Sequence, residues 1–205
     1  MNKTKIRFSK KEKEMIADSG WILTKNEIFK KVSRLFETLN TEQQNILLAS
    51  ASSFPSEITA TLPKISRGEN YKDLPWMLLD YPRVFTLENI CAIRILFWWG
   101  NFFSITLHLS GGYKKKFEKS IISSYPVIAK KKIYCCINTD QWQHHFGRDN
   151  YSLIKTIGEK EFGNIITRKP FIKLAKRISF KKWEQLPTVL LSYFNLFTGI
   201  LKSEV

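Results

Sequence analysis

Phe103-Ser104-Ile105-Thr106-Leu107-His108-Leu109-Ser110 alternates apolar and polar residues without a break, then runs into Gly111-Gly112 and Tyr113-Lys114-Lys115-Lys116-Phe117. A period of two is that of a strand, whose successive side chains point to opposite faces. Phe103, Ile105, Leu107 and Leu109 belong on a core. Ser104, Thr106, His108 and Ser110 face water or a ligand. Beyond the glycines, Tyr113, Phe117 and Ile121 recur at helical spacing, which predicts a helix over 113–123 with Lys114, Lys115, Glu118 and Lys119 on its outer face.

Two more segments read as strands. Residues 76–81 are stopped by Tyr81-Pro82, and 132–138 place Ile133, Cys135 and Ile137 on one face and Tyr134, Cys136 and Asn138 on the other. Toward the N-terminus, a basic head over 1–8 leads to Ser9, which can cap a short helix through about Asp18, with Gly20 able to end it. Thr24-Lys25-Asn26-Glu27 fits a capping box, followed by an apolar stripe of Ile28, Val32, Leu35, Phe36 and Leu39. The Ser- and Pro-rich stretch 51–75 reads as a wrapping loop. Thr86 can cap a short helix holding Ile90, Ile93 and Arg94. Residues 139–170 show no regular period. Residues 170–177 read as a short basic helix. Residues 179–185 and 187–201 read as helical, with Pro187 in the first turn, where its missing amide costs least.

These pieces predict an α+β fold: a small antiparallel or mixed sheet, with strands near 76–81, 103–110 and 132–138, flanked by N- and C-terminal helices. A chain of 205 residues suits a single domain. Within it, 1–50 form a helical part, 51–75 the loop, and 76–205 a sheet-bearing core with a basic surface.

The net charge is +15, and residues 111–182 hold seventeen Lys/Arg against five Asp/Glu. That imbalance points to an anionic partner: nucleic acid, an anionic membrane surface or an acidic protein. Three cysteines, two of them adjacent, do not make a disulfide framework. The charged start has no apolar stretch of the signal-peptide kind. The longest apolar runs fall short of the ~20 residues that span a bilayer. A cytoplasmic protein without a transmembrane segment is the expectation. Nothing in the pattern sets an oligomeric state.

The anion-binding candidates are Gly111 and Gly112, whose turn opens a helix, with Lys114, Lys115 and Lys116, and also Lys130, Lys131, Lys132, Arg168 and Lys169. Free amides at a helix start attract phosphate or carboxylate, although lysines there oppose the helix dipole unless an anion is bound. The segment is not a P-loop, which needs G-x-x-x-x-G-K-[ST]. The basic recurrence continues through Lys173, Lys176-Arg177 and Lys181-Lys182, with aromatic residues interleaved at Tyr113, Phe117, Tyr134, Phe171, Phe180 and Trp183. This is the pattern of polyanion binding. A solvated basic face is the plainer reading.

A second set could line a pocket on the polar strand face: Ser104, Thr106 and His108, with Asp80, Arg94, Trp98 or Trp99. An Asp–Arg ion pair fixing a turn accounts for Asp80 and Arg94 more simply. Most of the aromatic run Phe97-Trp98-Trp99 is expected in the core. His108, His144 and His145 lack metal-ligand spacing, and neither metal nor cofactor is expected.

The leading expectation is a basic binding module for an anionic partner, foremost nucleic acid. One alternative is a small-ligand protein or enzyme using the polar face of strand 103–110, though no specific reaction is written in the sequence. Another is a protein-protein or membrane-surface protein using helices 25–39 and 187–201.

Overall fold

β4 (Phe102–Ser110) is the middle strand of its sheet, and both of its faces are buried. The structure, a computed structural model, describes residues 6–202. Residues 1–5 of the basic head lie outside the described part. Among the described residues seven strands form one sheet in the order β1-β2-β3-β4-β7-β5-β6. The others are β1 (Lys64–Tyr71), β2 (Leu74–Phe85), β3 (Ile90–Trp98), β5 (Tyr134–Cys136), β6 (Tyr151–Leu153) and β7 (Phe171–Ile178). Every pairing is antiparallel. β1 to β4 form a meander. β7 then enters between β4 and β5. With helices at both ends of the chain, the class is α+β.

One face of the sheet is apolar. Leu79, Ile93, Ile105, Leu107 and Leu174 pack there in one core with residues of the long helix α2 (Ser19–Leu48), preceded by α1 (Lys10–Ala17), and of the later helices. These include α4 (Gly111–Ser123), α7 (Glu159–Arg168) and α8 (Leu186–Leu201); α3 (Ser56–Thr59), α5 (Tyr125–Lys130) and α6 (Ile154–Ile157) are short. α2 buries Val32, Phe36, Leu39 and Leu47, and α8 buries Leu190, Phe194, Phe197 and Leu201. Each such side chain contributes about 1.5–3 kcal/mol. The apolar faces expected to meet a partner chain or a membrane along 25–39 and 187–201 are therefore turned into this chain's own core. No helix among the described residues is long and apolar enough to cross a membrane.

Several local expectations are corrected. Ser9 caps α1 as expected and forms a capping box with Glu12, whereas the box expected at Thr24–Glu27 is absent: α2 starts at Ser19, where Asp18 caps the Gly20 amide at 2.9 Å. Thr24 therefore lies inside the helix. The stretch 51–75 contains β1, an edge strand whose side chains are half-buried or exposed, so it lacks an apolar signature. The helix expected after Thr86 is β3. Both faces of that strand are covered, so its sequence shows no alternation, and Ile90, Ile93 and Arg94 imitate helical spacing. The basic helix expected at 170–177 is β7, a strand with a lysine turned inward. The Tyr81-Pro82 bond is cis, and the register of β2 on β3 shifts between Asp80 and Arg83.

Candidate functional site

The second sheet face is polar at its centre. Strand register sets Asp80 beside Arg94, Arg94 beside Thr106, and His108 beside Lys173, so that β2, β3, β4 and β7 each contribute. Ser104 and Trp98 share this face. Residues 137–150 lie over it. Arg94 donates from Nε to Asp80 Oδ1 at 2.7 Å and from Nη2 to Asp80 Oδ2 at 2.9 Å. Its Nη1 lies 3.4 Å from His144 Nε2. Lys173 Nζ donates to the carbonyls of Gln141 at 2.8 Å and Gln143 at 2.6 Å, while His108 Nε2 lies 3.0 Å from Gln141 Oε1. The Tyr71 hydroxyl accepts the amide hydrogens of His144 and His145.

Burial governs the chemistry of these groups. It pushes the His108 imidazole down to about 3, reinforced by the Lys173 ammonium, while the hydrogen bond to Gln141 opposes the shift. Both His108 and His144 are thus neutral near pH 7. Burial also pushes Lys173 down to about 8. The Cys135 thiol is raised to about 12 by burial, which makes it a poor nucleophile.

The polar-face candidates are thus brought together, with the exception of Trp99. Asp80, Ser104, Thr106 and His108 are buried and Arg94 half-buried beneath the 137–150 segment. Cavities of about 200 and 440 Å³ flank Trp142 of that segment, but neither is lined by those five residues. Here the polar groups serve to fasten a loop to a sheet. Trp98 donates from Nε1 to the Tyr71 carbonyl at 3.2 Å. Trp99 lies on the opposite side, stacked on Phe29 at 5.8 Å between ring centres.

The anion-binding candidates divide. The Gly112 amide at the start of α4 already donates to Asn89 Oδ1 at 2.6 Å. Gly111 has φ +60°, and a Cβ there would come within 2.2 Å of the Glu88 carbonyl oxygen, so the glycine serves a tight turn. Lys114 is buried, paired with Glu118 and bonded to the Thr167 carbonyl. Lys169 donates to the Ile137 carbonyl at 3.0 Å. Lys115, Lys116, Lys130, Lys131, Lys132 and Arg168 remain exposed.

Several of the exposed lysines fall on one surface. Lys176 on β7 donates to the carbonyls of Lys131 at 3.1 Å and Lys132 at 3.5 Å, and its ammonium sits 5.1 Å from the Tyr193 ring centre. The Tyr193 hydroxyl donates to the same Lys131 carbonyl at 2.6 Å. Burial, then Lys132 and Lys182, hold the Lys176 pKa below its ordinary value. Val127, one turn before Lys131, lines a groove of about 670 Å³ with Lys116, Lys119, Ser123, Asn195 and Lys202. Lys116, Lys119 and Lys202 thus border the groove, and Lys131, Lys132, Lys176 and Lys182 form a second group. None of the ion pairs among the described residues includes them. Lys132 has φ +52°, a left-handed conformation uncommon for a non-glycine residue.

Beside this surface lies a cleft of about 540 Å³, walled by Val32, Trp99, Phe103, Phe180 and Trp183, with Lys31 as its charged lining residue. Nothing in the local pattern marks Trp99 and Trp183 as wall partners, because the turn that follows β3 and the 3-10 turn Phe180–Gln185 meet only in the folded chain. Among the described residues no group of three or more His, Cys, Asp or Glu side chains is arranged to hold a metal ion. No family model matches this chain, and neither a curated protein nor a solved structure matches it.

Proposed function

We propose that the protein is a binding module for a polyanion, foremost nucleic acid, and that it works through its lysine surface. The observation that carries this reading is the seat of Lys176 on the carbonyls of Lys131 and Lys132, at 3.1 and 3.5 Å, where the charges of Lys132 and Lys182 also act on it. Like charges brought together repel one another, and a bound anion relieves that repulsion. The groove with Lys116, Lys119 and Lys202 extends the same field. A chain of phosphates has the repeat and charge to follow such a track, and its affinity comes from counterion release.

The test is an anisotropy titration of a labelled oligonucleotide across a range of salt concentrations. Affinity should fall linearly in log salt. Changing Lys131, Lys132 and Lys182 together to Ala should flatten the slope by about 2, at roughly 0.7–0.9 per lost phosphate contact. Absence of binding even at low salt, or a slope identical in the variant, would refute the assignment.

A further inference from the structure

We infer that the partner of the lysine surface is a single strand, one of whose bases enters the cleft between Trp99 and Trp183. The inference rests on the polyanion reading above and adds the class of strand and the place of a base. The 3-10 turn Phe180–Gln185 joins the two features. The turn is kinked at Lys182, whose φ of −104° and ψ of 25° are not helical. Phe180 and Trp183 both line the cleft, and the intervening Lys181 and Lys182 are exposed. Lys182 acts on Lys176 of the basic surface. The phosphate-binding surface and the aromatic cleft therefore meet at adjacent residues, a spacing that suits a nucleotide's own phosphate and base.

The walls suit a flat ring. Phe103 and Val32 are almost wholly buried, whereas Trp183 is 39% exposed and Trp99 half-buried, so indole surface is open to an incoming group. The volume of about 540 Å³ is ample for one base. Lys31 supplies a further cation at the cleft. Aromatic side chains next to lysines hold single strands by stacking, which tolerates any base. A duplex has both faces of each base covered by its neighbours and offers no ring without unpairing.

The experiment compares labelled oligothymidylate and oligouridylate with an abasic strand of equal length and with a duplex, all on the full chain at low salt. The base-bearing strands should bind roughly tenfold to a hundredfold more tightly than the abasic strand, and they should quench tryptophan emission. Trp183→Ala should bring the base-bearing strands down to the abasic level and leave abasic affinity unchanged. Trp183→Phe should keep most of the difference. Equal affinity for base-bearing and abasic strands in the unaltered protein would overturn the inference while leaving the lysine surface in place. If none of the strands bound, and the duplex did not either, the polyanion reading would itself fall, and this inference with it.

Discussion

Arg94 faces Asp80 across adjacent strands and engages both carboxylate oxygens, at 2.7 and 2.9 Å, on a sheet face that is covered rather than open. Removing one partner leaves the other charge uncompensated on a largely covered face, where only 14% of the Arg94 side chain and 8% of the Asp80 side chain are exposed. Asp80→Ala should cost about 3–5 kcal/mol in urea denaturation, and the paired change Asp80→Leu with Arg94→Met should cost much less. Equal losses in the single and the paired variant would show that the ion pair is not what the site depends on.

His108 makes acid the weak side of this fold. Its folded pKa of about 3 lies below the ordinary 6.5, so below pH 6.5 the unfolded chain takes up a proton that the native chain refuses. The resulting stability is present above pH 6.5 and is lost as the pH falls toward 3. Between pH 7 and pH 5 this amounts to about 2 kcal/mol. His108→Gln keeps a donor for Gln141 and removes the titration. The gap in unfolding free energy between the two proteins should therefore shift in favour of the variant at pH 5, and a constant gap would contradict this.

Gln43 is an internal defect on α2. It is 1% exposed, and neither its Nε2 nor its Oε1 finds a partner in the protein. A buried polar group left unmatched costs about 1–3 kcal/mol. Gln43→Met, of similar volume, should raise the thermal midpoint by several degrees. A lower midpoint would mean that the amide is satisfied in solution.

Lys132 holds a left-handed backbone conformation that glycine adopts at little cost. Lys132→Gly should leave the melting temperature unchanged or higher while weakening oligonucleotide binding several-fold. Loss of stability with unaltered binding would reverse the roles assigned to its backbone and its side chain.

How legible the fold was depended on whether each strand shows a face. β4 could be read because its two faces differ in polarity. β3 could not, since Ile90–Trp98 is buried on both sides and its spacing imitates a helix. In β7, Lys173 occupies a position that lies inside, and a lysine among apolar residues reads as a helix surface until the polar sheet face is known. At the candidate site, the basic recurrence was visible along the chain. Which lysines are free was not, because Lys114, Lys169 and Lys173 are taken up by a carboxylate or by carbonyls far away in sequence.

The place of β7 between β4 and β5 also orders events during synthesis. The meander β1 to β4 involves neighbours in sequence and can pair as soon as residue 110 has left the ribosome. β5 reaches the rest of the sheet only through β7, which emerges some sixty residues after β4. Until then a nascent chain carries β4 as an unpaired edge, a template for pairing with other chains. The step that seals this edge is the arrival of Phe171–Ile178, and with Lys173 it brings the group that fastens down the loop made before it.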